Sequence, residues 1–289
     1  STIETLDKQT DDISEDRIIK GMVGRELTDR FPRRENINIG NTALEVRDWV
    51  VYHPLYSDRK VVDHVSIHVN KGEVVGICGL MGAGRTETAR ALFGADPMDS
   101  GDIYVNGKKV TIKSPQDAVK CGIGYLSEDR KRYGIVVQKS VAENTTMATL
   151  EQYMSGIFIN KKKEKEVAEK YVESLATKTP DVDQLVVNLS GGNQQKVVIA
   201  KWLTRDCDIL IFDEPTRGID VGAKNEIYKL MNALAAEGKA IIMISSEMTE
   251  ILRMSDRIVV MCEGKKTGEL DISEATQENI MNMATREIE

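Results

Sequence analysis

Two adjacent carboxylates, Asp213 and Glu214, directly follow the apolar run 209–212. A short apolar run of this kind is typical of a buried strand, so both carboxylates should lie where that strand ends. Carboxylate oxygens are ligands for Mg²⁺, and a second carboxylate beside such an ion can orient or deprotonate a water molecule. We therefore predict that Asp213 is a metal ligand and that Glu214 is a catalytic base.

A glycine-rich stretch follows an earlier apolar run, residues 74–78, and leads into a helical pattern. Its spacing matches the phosphate-binding loop G-x-x-x-x-G-K-[ST] at every fixed position except the lysine, where Arg85 stands. Glycines let the backbone aim its N–H groups at phosphate oxygens, and the following helix points its positive end at the same anion. The Thr86 hydroxyl would bind the Mg²⁺ that Asp213 holds. Alone, the stretch would also fit a tight strand–helix turn. The predicted loop residues are Gly79, Gly82, Ala83, Gly84, Arg85, Thr86 and Glu87.

A serine and two glycines, Ser190, Gly191 and Gly192, open another helical pattern shortly before Asp213. Backbone donors, the serine hydroxyl and the helix dipole would converge there on one anion, which suits the terminal phosphate of a nucleotide. The alternative is that Ser190 serves only as a helix N-cap. Together with the glycine-rich loop and the carboxylate pair, the motif indicates a nucleotide site.

Apolar patterns along the chain predict the elements that position these residues. Residues 43–112 are β-rich, and Asn106 and Gly107 between two short apolar runs predict a tight hairpin. Residues 141–183 are predicted to be helical, with a charged start that we expect to be solvated. Strands at 209–212, 240–244 and 258–261 then alternate with a helix at 225–236. The patterns predict an α/β fold with a parallel core, an antiparallel β-region and an all-helical insertion.

The arrangement resembles the nucleotide-binding domain of ABC transporters over residues 44–264. The signature motif of that family corresponds to residues 189–196, and Asp220 stands in its D-loop. The resemblance implies a P-loop NTPase fold with a RecA-like parallel-sheet core, an antiparallel β-subdomain and an inserted helical subdomain. It also implies ATP and Mg²⁺ as cofactors, with Ser190, Gly191, Gly192 and Asp220 contacting the nucleotide.

Tyr56 stands where such domains stack an aromatic ring on adenine. Trp49 and Tyr52 are less favoured candidates for the same role, and a merely packed aromatic ring is an equal alternative. The resemblance therefore places Tyr56 among the predicted cofactor-binding residues.

Four stretches, 79–87, 127–132, 213–222 and 245–248, resemble more narrowly the second half of the fused ATP-binding subunit of ribose-, galactose- and xylose-type sugar importers. The resemblance implies coupling of ATP binding and hydrolysis to monosaccharide uptake. The implied partners are a first nucleotide-binding half of the same subunit, a transmembrane sugar permease and, indirectly, an external sugar-binding protein. The implied location is the cytoplasmic face of the cell membrane.

Residues 22–26 and 283–287 are similar, and each group follows an isoleucine at the same spacing, Ile19 or Ile280. A repeat over this distance indicates that the chain opens inside the tail of a preceding, similar unit. We therefore predict that residues 1–42 are a tail or linker. Residues 43–289 would form the nucleotide-binding domain, with a helical subdomain at about 135–188.

Three positions depart from the pattern of a hydrolytic ABC domain. Arg85 replaces the loop lysine, Glu128 stands where a glutamine usually links Mg²⁺ and water to the transmembrane partner, and Ser246 occupies the position of the switch histidine. Glu128, Ser246 and Glu214 remain the predicted catalytic positions. In the family, each ATP lies between the loop of one half and the signature of the other. The resemblance thus implies that this half binds Mg-ATP, hydrolyses it weakly or not at all, and lends Ser190 to the partner site.

The composition excludes some other functions. A net charge of -7 leaves no basic surplus to neutralise phosphates, so we expect no nucleic-acid partner. The 4 cysteines are widely spaced and form no C-x-x-C pair, which favours free thiols. Two alternatives stay open. One is a non-catalytic regulatory module that only binds nucleotide; the other is a soluble ABC ATPase outside transport, which would need basic arms that the acidic ends do not supply.

Overall fold

The computed structural model describes residues 31–286 except 33, 35, 36 and 54. The predicted repeat segment at 22–26 and the rest of the predicted tail before residue 31 lie outside the described residues. In chain order the strands are β1 (Thr42–His53), β2 (Tyr56–Asn70), β3 (Val74–Gly79), β4 (Ser100–Val105), β5 (Lys108–Val110), β6 (Ile123–Leu126), β7 (Met154–Ser155), β8 (Phe158–Ile159), β9 (Ile209–Asp213), β10 (Ala240–Ile244), β11 (Arg257–Cys262) and β12 (Lys265–Asp271).

Eight α-helices and three shorter helical turns lie among these strands in the described part of the chain. The α-helices are α1 (Arg85–Leu92), α2 (Pro115–Lys120), α3 (Val141–Thr146), α4 (Lys161–Ser174), α5 (Gly191–Thr204), α6 (Val221–Ala236), α7 (Met248–Met254) and α8 (Gln277–Ala284). A π-helical turn spans Arg130–Gly134, and 3₁₀ turns span Met147–Tyr153 and Val186–Asn188.

The central sheet of the described chain has the strand order β12-β11-β3-β10-β9-β6. All of these strands run parallel except β12, which pairs antiparallel with β11. Every residue of β9 and β10 is buried, as expected for strands covered on both faces. Because β3, β10 and β9 are parallel neighbours, their carboxyl ends meet at one edge of the sheet. The predicted parallel core is confirmed, and Asp213, Glu214, Ser246 and the glycine-rich loop after β3 lie at this edge.

The second sheet is antiparallel, with the strand order β2-β1-β4-β5. Asn106 and Gly107 join β4 to β5 with φ angles of 48° and 74°. Positive φ at both positions defines the two-residue turn that the Asn-Gly pair predicted. The Trp49 side chain on β1 is fully buried in the core. The predicted antiparallel β-subdomain is therefore confirmed.

The region between β6 and β9 is mainly helical, but the prediction of an all-helical insertion is wrong. Strands β7 and β8 form a short antiparallel hairpin there, and Gly156 makes its turn with a φ of 63°. The charged start of α4 is also not wholly solvated, because Glu164 is buried and accepts a hydrogen bond from Thr146 Oγ1 at 2.8 Å. A buried acidic residue can be tolerated here because hydroxyl and ammonium donors surround it.

Candidate functional site

The glycine-rich loop joins β3 to α1, as the sequence predicted. Gly84 is the N-cap of α1 and has a φ of 91°, in the left-handed region that favours glycine. A Cβ at Gly84 would lie 2.3 Å from the carbonyl oxygen of Val61, so β2 packs too closely on the loop for any side chain. The first turn of α1 leaves backbone N–H groups without partners inside the helix. The loop therefore has the donors that an anion needs.

Asp213 ends β9, and its side chain is fully buried. Its Oδ1 accepts a hydrogen bond from Thr86 Oγ1 at 3.2 Å, and its Oδ2 accepts one from Tyr125 Oη at 2.8 Å. Burial raises the pKa of Asp213 to about 6. Burial also raises the pKa of Tyr125, which keeps the phenol protonated as a donor. Sequence analysis missed Tyr125, because nothing distinguishes it from the other residues of the apolar strand β6.

The oxygen donors of Thr86 and Asp213 suit Mg²⁺, which takes hard oxygen ligands and retains several water molecules. In the part of the chain that the structure describes, no group of three or more His, Cys, Asp or Glu side chains is arranged to hold a metal ion. A Mg²⁺ at Thr86 and Asp213 would therefore need oxygens from a phosphate ligand, as P-loop sites provide. The donor set fits this chemistry, and the metal-binding role of both residues stays a prediction.

Glu214 lies one residue beyond β9 and has a φ of 48°, which is uncommon for a residue with a side chain. Ser246 Oγ donates to its Oε2 at 3.1 Å, and Arg85 Nη1 lies 3.9 Å from its Oε1. Arg85 Nη1 also donates to the carbonyl oxygen of Ser245 at 2.9 Å. Burial raises the pKa of the Glu214 carboxyl. The structure thus brings Arg85, Glu214 and Ser246 together, and it adds the Ser245 carbonyl, which no sequence signal marked.

Glu128 follows β6, and its carboxylate pairs with the guanidinium of Arg217. Arg130 donates through Nη1 to the carbonyl of Arg217 at 3.1 Å and through Nε to Gln194 Oε1 at 3.4 Å. These contacts join the turn after β6 to the loop before α6 and to helix α5. The catalytic role of Glu128 stays a prediction, while Arg130 is a connecting residue that sequence analysis did not single out.

Ser190 is the N-cap of α5, as the predicted helix start requires. Its exposed Oγ accepts a hydrogen bond from Asn193 Nδ2 at 3.0 Å. A Cβ at Gly192 would lie 2.5 Å from Ala223 Cβ, so a glycine is needed where α5 meets α6. Ser190 therefore has the N-capping role that was the alternative to anion binding. As the N-cap, Ser190 lies at the exposed end of a 14-residue helix.

Tyr56, Trp49 and Asp220 are the remaining predicted positions. Tyr56 is the first residue of β2 and is 58% exposed. Its ring centroid lies 4.9 Å from that of His53. Trp49 is fully buried, so its ring has no free face for a ligand. Asp220 is the N-cap of α6 and accepts from the backbone N–H of Ala223 at 3.0 Å. Adenine stacking by Tyr56 and nucleotide contact by Asp220 stay predictions.

The contacts divide the candidate site residues into two groups. The loop cluster comprises Arg85, Thr86, Asp213, Glu214 and Ser246. The serine–glycine cluster comprises Ser190, Gly191, Gly192 and Arg130, with the backbone of 217–218 against Gly191 and Arg130. The fold and the loop cluster define a P-loop nucleotide-binding protein.

The chain belongs to the ABC transporter family, whose family profile matches residues 62–217. An L-arabinose transport ATP-binding protein, AraG, of Geobacillus stearothermophilus is 50% identical over 99% of this chain and 56% of its own length. A xylose import ATP-binding protein, XylG, of Thermoanaerobacter pseudethanolicus is 53% identical over 98% of the chain and 56% of its own length. A Burkholderia lata protein named for ribose, galactose and methyl galactoside import is 55% identical over 95% of the chain and 52% of its own length. The chain therefore spans about half the length of these relatives.

Solved structures agree with the family at the level of the fold and nucleotide binding. An ATP-binding cassette of an ABC transporter in its ADP conformation superimposes with a TM-score of 0.69 and 26% identity, covering 84% of this chain and 95% of that one. A nucleotide-free cassette superimposes with a TM-score of 0.70 and 25% identity, covering 85% and 96%. The predicted ABC ATPase fold is confirmed. Among the described helices, none combines the length and apolar character that crossing a membrane requires.

Proposed function

We propose that this chain is the C-terminal half of the ATP-binding subunit of an ABC sugar importer, and that it couples ATP binding and hydrolysis to monosaccharide uptake. Its own loop cluster holds Mg-ATP but is altered for hydrolysis, and its serine–glycine cluster completes the site of a preceding nucleotide-binding half. The observation that carries the proposal is the contact of Thr86 with Asp213 at the edge of the parallel sheet, 3.2 Å apart. Similarity to the arabinose and xylose proteins supports a sugar as cargo.

The contacts of Arg85 support reduced hydrolysis. In the loop motif a lysine ammonium, a compact point charge, reaches the phosphates. Here the planar guanidinium is anchored by the Ser245 carbonyl and lies 3.9 Å from a Glu214 carboxylate oxygen. A cation at this distance favours the ionised form of the carboxylate, although it does not hydrogen-bond to it. Glu214 is present, but a fixed positive charge and the Ser246 hydroxyl lie beside its carboxylate.

The exposure of Ser190 supports a role of the serine–glycine cluster in a shared site. Ser190 faces solvent at the N-terminus of α5, where backbone donors and the helix dipole favour an anion. In this cluster Arg130 bonds to the carbonyl of Arg217, whereas the bonds of the loop cluster lead to Tyr125 on β6 and to Ser245 after β10. In the proposed arrangement the two phosphate-binding elements of one chain serve two different nucleotides. A second nucleotide-binding unit would supply the missing half of each site.

A groove of about 750 Å³ supports docking of a transmembrane partner at the cytoplasmic face of the membrane. Its walls include the aromatic rings of Phe93, Tyr133 and Trp202, with Tyr125 on the side of the sheet. An amphipathic segment of a permease could bury its apolar face on these rings. Tyr125 also donates to Asp213, so a segment in the groove would lie one side chain away from the loop cluster. An external sugar-binding protein would act only through that permease.

The decisive experiment compares ATP affinity and turnover of this chain alone and after mixing with the first half of a full-length relative. We expect Mg²⁺-dependent ATP binding by the chain alone, little turnover, and a gain of at least about tenfold on mixing. Ser190→Arg should abolish the gain and leave ATP binding by the chain intact. Ser174→Arg, at an exposed position of α4, is the matched control and should leave the gain unchanged. Robust turnover by the chain alone that Glu214→Gln abolishes would contradict the proposed altered site.

A binding-only regulatory role is the second candidate, and the proximity of Arg85 to Glu214 favours it. This function predicts unchanged turnover on mixing with any first half, while the affinity for ATP stays high. The mixing experiment therefore separates the two candidates directly.

A further inference from the structure

Glu250 on α7 is a carboxylate buried in the core that none of the motifs accounts for. It is 0% exposed. Its Oε2 accepts from Ser245 Oγ at 2.6 Å, and its Oε1 accepts from Thr216 Oγ1 at 2.5 Å and from the hydroxyl of Tyr228. Lys224 Nζ lies 3.3 Å from the same Oε1. Burial alone would raise the pKa of Glu250, but these donors outweigh it and the pKa is lowered, so the group is an anion.

Two of the donors to Glu250 belong to chain segments of the loop cluster. Ser245 follows β10, its carbonyl anchors Arg85, and its neighbour Ser246 donates to Glu214. Thr216 lies two residues after Glu214, in the turn that leaves β9. The backbone N–H of Glu247 donates to the same Ser245 Oγ at 3.0 Å. One carboxylate therefore joins the segment that carries Glu214 to the segment that carries Ser246.

A third donor, Tyr228, connects Glu250 to the segment before the first strand. Its ring stacks on that of Phe31, with 5.3 Å between the ring centroids. On the same helix, Asn232 Nδ2 donates to the carbonyl of Pro32 at 2.6 Å. Arg34 then donates to the carbonyl of Gly72 at 2.9 Å and pairs with Asp256. The chain entering the domain is thus held on α6 directly beside the buried carboxylate.

We propose that Glu250 is a positioning residue that sets the geometry of Arg85, Glu214 and Ser246 through Ser245 and Thr216, and that Phe31 couples the entering segment to this geometry through Tyr228. The role rests on the proposed function, because positioning matters only if the loop cluster acts on a nucleotide. A displacement of the entering segment, where a preceding unit would attach, shifts Tyr228 and loosens the loop at Ser245. The inferred path therefore runs from the linker to the catalytic carboxylate.

The test is hydrogen exchange of individual backbone amides in the full 289-residue chain without nucleotide. Glu250→Gln keeps the size of the side chain but replaces one acceptor oxygen with an NH₂ donor and removes the charge. We expect exchange at the Glu247 and Glu214 amides to speed up about tenfold, with the β9 and β10 amides unchanged. Glu237→Gln, which removes an exposed carboxylate at the end of α6, is the control and should change neither amide.

Two further variants keep the inference testable if Glu250→Gln fails to fold. Tyr228→Phe removes one donor and should speed exchange at Glu247 about threefold; Phe31→Ala should act in the same direction. A uniform acceleration across the central sheet in Glu250→Gln would show a structural role only and would overturn the positioning role. Unchanged exchange at Glu247 in Phe31→Ala would overturn the coupling. ATP affinity of the unchanged chain, measured in parallel, tests the proposed function separately, because the exchange experiment contains no nucleotide.

Discussion

The loop cluster and the serine–glycine cluster both present polar groups to an anion, but they differ in burial. Asp213 is fully buried and Glu214 is partly buried, and each has side-chain donors within the chain. Ser190 is exposed, and its hydroxyl bonds only locally to Asn193. A buried polar group needs hydrogen-bond partners within the folded chain, whereas an exposed one can bond to water, a ligand or a partner protein. The difference agrees with the proposal that the loop cluster is pre-organised and that a partner completes the serine–glycine cluster.

The strongest test of this comparison is Asp213→Asn. The amide keeps the shape but loses the anionic oxygen, so we expect ATP affinity in Mg²⁺ to fall on the order of 100-fold, as for other losses of metal-site contacts. ATP affinity in the presence of a chelator should change less than about threefold. Equal losses of ATP affinity with and without Mg²⁺ would contradict the proposal that Asp213 is a metal ligand.

Lys201 is a buried lysine on α5, the helix that Ser190 caps, and its burial should make the stability of the chain depend on pH. Its Nζ donates to the carbonyl of Gly134 at 2.5 Å, and burial lowers its pKa from 10.5 to about 8. The unfolded chain therefore binds more protons than the folded chain between these values, so stability should rise with pH there. Relative to Lys201→Met, the free energy of unfolding should rise by up to about 3 kcal/mol from pH 8 to pH 10.5.

Urea titrations at several pH values measure this difference. Lys229→Met, at an exposed position on α6, serves as the control and should leave the pH dependence of the parent chain intact. If the difference in free energy of unfolding between the parent chain and Lys201→Met does not change with pH, the Lys201 ammonium is as well solvated in the folded chain as in the unfolded one.

Arg85→Lys tests whether the guanidinium restrains Glu214. An ammonium is a compact point charge without the reach of the guanidinium, so we expect it to release the Ser245 carbonyl and to bind the phosphates instead. We expect turnover to rise about tenfold, measured by phosphate release, with ATP affinity kept within about threefold. Arg90→Lys is the matched control on the same helix, since Arg90 pairs with Asp96 away from the loop. Unchanged turnover in Arg85→Lys would mean that Ser246 or Glu128, rather than Arg85, limits hydrolysis.

Ser190→Ala should have the smallest effect on the isolated chain. Loss of the N-cap should lower the free energy of unfolding by about 1 kcal/mol. ATP affinity should stay within about twofold of the parent value, because this hydroxyl serves a different nucleotide in the proposed arrangement. Calorimetric titration with ATP checks the second expectation, and a tenfold loss of affinity would show that one chain uses both clusters for the same nucleotide.

Much of the fold and the positions of the main candidate residues were predictable because local patterns specify them. Apolar runs marked β9 and β10, and the Asn106-Gly107 pair marked the hairpin between β4 and β5. The contact of Thr86 with Asp213 followed from motif order, because parallel strands bring their carboxyl ends to one edge. The β7–β8 hairpin and the burial of Glu164 were not predictable, because a few residues carry too little periodicity and a buried charge depends on distant donors.

The amino-acid sequence by itself determined the family, the nucleotide-binding loop, the acidic strand end and the start of α5, since each rests on residue types at short, constant spacing. Only the tertiary structure decided that Tyr125 donates to Asp213, that Arg85 lies between Ser245 and Glu214, and that Glu250 joins their segments to Tyr228. Such contacts depend on strand order and helix packing between residues far apart in the chain. A sequence pattern records what each residue can donate or accept, and packing selects the partner.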